Sequence, residues 1–386
     1  MLIQKVLVQN RKEQPAIHLP ASIAWLFCLS LGGFSTAAAD GIESWNINAF
    51  GHVELAAGES GLYQDDVSLG ESALFVTGRL SSRWSVLTEI SARPKKYRED
   101  TVKVERLRLR YDLTDNHWLS LGKMHTPVNH WNDTYHHGRM FFPSIDRPQT
   151  FAEFIPVHEI GVRASGENLG QKKVFYDIVI GSGQSAHDDA FKNGVKSFTV
   201  SAGFYPTNNL KWRFSYYRDQ LIDHLNDPDH APLVSSHSGH GAMHSGHGAM
   251  HADDSMHAGS TMLPPREDLD YDLLSSSLTY EGERYEILTE LSFFRSEGSG
   301  WSGGIYQNVR YKVTDDIRVY ALLDLLDIDE KEQHYAPGHS RKYGVGLEYW
   351  LGASWSLKAE YCHVDIDRGG AETGGNVFKL QMSFGF

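Results

Sequence analysis

The sequence predicts an all-β chain, an antiparallel up-and-down β-barrel of about sixteen strands that is transmembrane and carries a long third loop. Three observations predict it. The chain finishes on Phe378, Leu380, Met382, Phe384 and Phe386, with Lys379, Gln381, Ser383 and Gly385 between them. That period of two makes a strand with one oily face and one polar or small face. Similar alternation recurs upstream. Trp212, Phe214 and Tyr216 interleave with Lys211, Arg213 and Ser215, and Ile317, Val319, Ala321, Leu323 and Leu325 with Arg318, Tyr320, Leu322 and Asp324. Tyr343, Val345, Leu347, Tyr349 and Leu351 interleave with Gly344, Gly346, Glu348 and Trp350, and Trp355, Leu357, Ala359 and Tyr361 with Ser356, Lys358 and Glu360. Finally, these segments are separated by turn-forming residues, and no apolar run outside the N-terminal segment approaches the length of a membrane helix. Aromatic residues near the segment ends suit the two interfacial girdles of a membrane barrel better than a soluble core.

The segments run from 44–57 to 376–386, the last three at 341–351, 354–366 and 376–386. Every second connection is short: Ser81-Ser82-Arg83, Asp115-Asn116, Thr207-Asn208, Gly282-Glu283, Thr314-Asp315 and Gly352-Ala353. Short periplasmic turns alternating with longer outer loops are expected of a barrel with both termini inside. About sixteen strands enclose an aqueous channel, whereas eight would be filled by side chains.

The terminal strand resembles that of the bacterial outer-membrane β-barrel family, whose members end on an aromatic residue. The resemblance implies that Phe386 is read by the barrel-assembly machinery. The other end agrees with export. Lys5, Arg11 and Lys12 precede an apolar run from Ile23 to Phe34, and Ala37-Ala38-Ala39 follow as a cleavage site. We expect a signal peptide over 1–39 and a transmembrane barrel over 40–386. Cys28 lies in the leader, so Cys362 would stand alone without an intrachain disulfide. The formal charge of −13 argues against nucleic-acid partners and suits a surface protein among outer-membrane lipid.

The stretch from Leu121-Gly122-Lys123 to His158 resembles the corresponding part of phosphate-selective-type porins. In sixteen-stranded porins the third loop folds into the barrel, so residues 127–156 are the candidate constriction loop. The loop holds Trp131, Tyr135 and Pro148 to pack and stiffen it, and Asp133, Arg139, Asp146 and Arg147 to meet water. An external cap is the alternative. On the fourth strand Arg106, Arg108 and Arg110 alternate with Leu107 and Leu109. With the leucines on lipid, the arginines form a ladder in the lumen, because Arg is costly at the membrane midplane. Opposite Asp133, Asp146 and Glu153 on the loop, the ladder would create a transverse, anion-favouring field. Neutralisation by Glu89, Glu286 or Glu290 is the alternative. Lys123 and His125 share a phase with Leu119 and Leu121, so part of the fifth strand faces a neighbour or the loop.

The segment 221–269 is a low-complexity outer loop with a seven-residue repeat. His237, His240 and Met243 recur as His244, His247 and Met250, followed by His251. Imidazole and thioether suit copper, and imidazole suits zinc, so weak multi-site metal binding is weighed against a solvated insertion. No nucleophile elbow or zincin motif occurs, and catalysis is not expected. The sequence therefore points to an outer-membrane porin passing small hydrophilic solutes, with no cofactor required. By resemblance a homotrimer is expected. A metal-capturing barrel, and a plugged structural or adhesive barrel, are the alternatives.

Overall fold

Alternation is what lets each strand show oil outward and polarity inward while the backbone hydrogen bonds are satisfied sideways. A computed structural model describes residues 44–59, 66–93, 101–135, 138–184, 197–221 and 268–386. Sixteen strands follow one another: β1 (Ser44–Gly58), β2 (Asp66–Arg79), β3 (Trp84–Arg93), β4 (Thr101–Asp112), β5 (His117–His125), β6 (His158–Leu169), β7 (Val174–Gly181) and β8 (Ser197–Thr207). The second half comprises β9 (Leu210–Leu221), β10 (Leu269–Glu281), β11 (Tyr285–Ser296), β12 (Ser302–Lys312), β13 (Ile317–Ile328), β14 (Gly338–Trp350), β15 (Trp355–Arg368) and β16 (Ala371–Gly385). Each pairs antiparallel with its neighbours, and β1 closes on β16 from Phe50↔Gly385 to Gly58↔Val377. Closure leaves no strand edge to pair with another chain or to face lipid unsatisfied.

The predicted faces hold. Phe378, Leu380 and Met382 point outward, as do Trp212, Phe214, Val345, Leu347 and Leu357, while Gln381, Ser383, Ser356 and Lys358 are buried on the inner side. Cys362 is a free thiol on the inner wall. One boundary reading fails. The segments placed at 354–366 and 376–386 leave a connection over 367–375, yet β15 continues to Arg368 and β16 begins at Ala371. Gly369 and Gly370 both have positive φ, 59° and 79°, which suits the two central residues of a tight primed hairpin turn. Gly374 and Gly375 lie within β16. The connection over 297–301 is short as well, so the outer loops are not uniformly long.

Two irregularities shape the wall beside the third loop. A bulge in β4 removes Glu105 from the ladder, since Glu89 pairs with Arg106 and Ile90 with Val104. It re-aims β4 so that Glu105 and Arg106 both turn inward while Val104 and Leu107 stay outside. In β5, Gly122 has φ 123°, and a Cβ there would lie 2.1 Å from the Leu107 carbonyl oxygen. β5 pairs with β4 only from Trp118 to Lys123, and its last residues lead into the loop. Lys123 accordingly sits outside the lumen, where its Nζ donates to the Val104 carbonyl at 2.8 Å. His125 is buried, with its ring 5.1 Å from that of His158 at the other root of the loop.

Candidate permeation site

The third loop lies inside the barrel and packs on one side of it. Asn132 ties its two roots together, its amide donating to the Thr126 carbonyl at 2.9 Å and to the Pro156 and Val157 carbonyls at 3.2 Å. Asn129 Oδ1 accepts from the Asn132 N–H at 2.7 Å, which satisfies an early donor of the short helix His130–Tyr135. A single 3-10 turn, Arg139–Phe141, and a second short helix, Gln149–Glu153, follow. Trp131, Phe142, Phe151 and Phe154 form one buried cluster with Tyr271, Leu288, Phe294, Tyr306 and Leu326 of β10–β13. Trp131 meets Phe142 and Tyr306 edge-on at 5.2 and 5.4 Å, and Phe154 lies 4.6 Å from Phe294. Each such aromatic contributes about 1.5–3 kcal/mol by burial alone. The loop backbone is satisfied by the wall: Trp131 N donates to Glu290 at 2.8 Å, Ile145 N to Glu360 at 3.0 Å and Gln149 N to Asp324 at 2.8 Å.

Charge fastens the same side. Asp133 accepts from Arg213 at 2.7 Å and Arg163 at 3.4 Å. Asp146 sits between Lys342 at 2.5 Å and Lys379 at 2.7 Å. Glu153 takes both terminal nitrogens of Arg368. Burial pushes the Asp133 carboxyl up, but Arg213, Arg163 and Lys211 outweigh it and hold it well below the usual range. Burial likewise opposes ionisation of Asp146, and Lys342 with Lys379 more than reverse it. Burial, with Lys211 and Arg213 adding to it, lowers His130 to about 3, so its ring is neutral. The expected transverse field is therefore corrected. Asp133, Asp146 and Glu153 face the wall they are anchored to, because Asp133 and Asp146 find buried cations there that would otherwise be uncompensated and Glu153 finds the part-buried Arg368.

Across the lumen Arg106, Arg108 and Arg110 do line the inside of β4. Arg106 pairs with Glu89 and lies 5.0 Å over the Phe75 ring. Arg110 pairs with Asp112 at 2.6 Å and stacks 4.0 Å over Trp118. Arg108 lies between them, within electrostatic reach of Arg163 and Asp133, and its Nε makes no hydrogen bond among the described residues. Of the neutralising carboxylates expected, Glu89 is the one beside the ladder. Glu286 and Glu290 belong to β11, where Glu286 pairs with Arg310 at 2.9 Å.

No protein-family model and no curated protein matches the sequence. Solved structures do match over most of the chain. The outer-membrane-expressed OmpT of Vibrio cholerae superposes with a TM-score of 0.56 at 13% identity, covering 90% of this chain and 99% of its own. The outer membrane channel DcaP of Acinetobacter baumannii gives 0.56 at 11% identity over 92% and 100%. An anion-selective porin from Comamonas acidovorans gives 0.56 at 9% identity over 89% and 99%. The fold is that of the outer-membrane porins. At these identities the likeness speaks for architecture alone, a closed barrel of the porin kind.

Within that porin fold, Arg139 and Arg147 pack over aromatic residues of the loop's own anchoring cluster. Arg139 donates to the Ile145 carbonyl at 2.8 Å and lies 5.2 Å over Phe142, and Arg147 lies 5.2 Å over Phe151. Both are within electrostatic reach of His52, which sits on β1 at 3.9 Å from Glu54. Bases on the loop thus face β1, the reverse of the predicted polarity. Sequence reasoning passed over Arg163, Lys211 and Arg213, which extend the basic lining from β4 to β6 and β9. The signal was present, since Lys211 and Arg213 occupy the inner phase of an alternation whose outer phase is Trp212 and Phe214. The loop carrying His237, His240, Met243, His244, His247, Met250 and His251 lies outside the described residues, as does the leader 1–39.

Proposed function

We propose that the protein is an outer-membrane porin, a diffusion channel for small hydrophilic solutes that favours anions. One observation carries this reading. The third loop is fastened to β9–β16, and the facing β4 wall keeps partly exposed guanidiniums at Arg106 and Arg110. A narrow aqueous path lined by fixed cations in a low-dielectric wall concentrates anions. Planar-bilayer recording under a KCl gradient tests it. Discrete current steps with a reversal potential of the chloride sign are expected, and Arg108→Gln should move that potential toward the potassium side. Membranes that stay silent with heat-modifiable, folded barrel would sink the reading.

Two partners belong to the proposal. A homotrimer is supported by the likeness to Vibrio cholerae OmpT, which is described in a trimer form; crosslinking of native membranes that yields monomer alone would refute it. Recognition of Phe386 by the barrel-assembly machinery would be refuted by unimpaired assembly of a chain lacking that residue. The repeated His/Met loop supports a second role, capture of copper or zinc at the cell surface. Calorimetry of the full chain against one with 237–251 deleted tests it, and equal metal uptake by both would exclude it.

A further inference from the structure

We propose that the periplasmic vestibule beneath the third loop is a binding site for a small, ring-bearing monocarboxylate. A cleft of about 260 Å³ lies between the loop, at Tyr135 and Phe141, and the inner wall of β11–β14, at Glu286, Arg310, Arg318 and Trp350. It opens at the short-turn end of the barrel. Its volume falls just below the range of about 300–1,000 Å³ typical of drug-sized ligands, which suits a single-ring solute.

The charges in the cleft do not balance. Glu286 serves Arg310 at 2.9 Å and Lys312 at 3.0 Å, and Glu348 serves Arg310 and, at 3.6 Å, Lys358. Arg318 is left 3.9 Å from each carboxylate, beyond hydrogen-bond range. Its Nε and Nη1 are buried and make no hydrogen bond among the described residues, and the same holds for Arg310 Nε and Trp350 Nε1. Buried donors without acceptors are costly, so the cluster is built for an acceptor from outside the chain. The lining itself sets Arg310 and Arg318 against Glu281 and Glu286; with the neighbouring Lys312, Lys358 and Glu348 counted, four cations face three carboxylates, an imbalance that one negative charge removes.

The geometry favours a carboxylate attached to a ring. A guanidinium fork matches the two oxygens of a carboxylate in one plane. Beside it, the Arg318 guanidinium lies 5.6 Å over the Trp350 ring, and Phe141 lies 6.2 Å from Trp350. These faces offer a ring the offset or edge-on contacts that aromatic groups prefer. The buried Trp350 Nε1–H offers such a solute one further donor.

The inference does not depend on the barrel conducting, because the readout is binding. The folded full chain in detergent is titrated calorimetrically with benzoate, with neutral benzamide and with ringless acetate. Saturable benzoate binding at one site is expected, with benzamide and acetate each weaker by about tenfold or more. Arg318→Gln and Trp350→Ala should each weaken benzoate by about tenfold, whereas the outward Arg341→Gln leaves it unchanged. Heat-modifiable migration confirms that each variant is folded. Absence of saturable benzoate binding, equal binding of benzamide, or undiminished binding in both vestibule variants would overturn the proposal.

Discussion

On β14–β16 the inner lysines Lys342 and Lys358 keep 3% and 0% of their side chains exposed, whereas Arg106 and Arg110 on β4 keep 19% and 29%. Both walls are cationic and both come from the same alternating pattern. The difference is the third loop. Where it lies, Lys342 and Lys379 share Asp146, Lys358 donates to the Arg139 carbonyl at 2.8 Å, and aromatic residues complete the cover. Where it does not lie, carboxylates on neighbouring strands answer part of the charge and water answers the rest. A cation on a barrel wall is therefore an anchor or a solute-facing group according to what the loop brings to it.

The comparison breaks most sharply at Asp146. Asp146→Asn leaves Lys342 and Lys379 buried beside a neutral amide, and losing one partner of a buried ion pair costs about 3–5 kcal/mol. A lower temperature for the heat-modifiable transition is expected, together with a changed conductance step as the loop loosens. Trp131→Ala opens the aromatic cluster on the same wall, with an expected loss of about 3 kcal/mol or more. Unchanged melting in either variant would mean that the loop is held elsewhere.

Acid separates two loop residues only three positions apart in their helix. His130 is lowered to about 3 by burial, while the unfolded chain takes up that proton near 6.5. Stability contributed by the neutral ring is full above about pH 6.5 and is lost progressively as pH falls toward 3. Asp133 has the opposite sign of charge but the same direction of shift. Its pairing with Arg213 and Arg163 stabilises the barrel at all pH values above the ordinary carboxylate range and is lost only in stronger acid. Between pH 7.5 and 5.0 the transition temperature should fall in the native chain and fall less in His130→Asn; parallel curves would contradict this. The smallest effect belongs to Arg368→Gln, which removes the partly exposed pair with Glu153 and should cost about 1 kcal/mol in chemical denaturation.

The barrel was legible because lipid imposes its rule on every second residue, and Phe378 to Phe386 or Trp212 to Tyr216 state that rule without tertiary context. The Arg106, Arg108 and Arg110 ladder followed from the same parity. Bulges are invisible to it: the extra residue at Glu105 and the left-handed Gly122 shift phase without a local signature. The partners of Asp133, Asp146 and Glu153 could not be read either. Asp146 and Lys379 are far apart in the chain and meet only after sixteen strands close into a ring. That is why the loop acids were expected to face the β4 arginines, when they pair instead with Arg213, Lys342, Lys379 and Arg368.

Cysteine accessibility in a conducting bilayer tests the two-walled lumen most directly. Arg110→Cys on the open wall and Ser292→Cys under the loop are compared with an anionic, membrane-impermeant thiol reagent; native Cys362 is buried and gives a quiet background. Both positions lie on the inner face, so strand phase alone predicts equal reaction. Modification of Arg110→Cys should change the current step while Ser292→Cys stays inert. Equal reaction at both, or reaction at Ser292→Cys alone, would contradict a loop fastened to the β9–β16 wall.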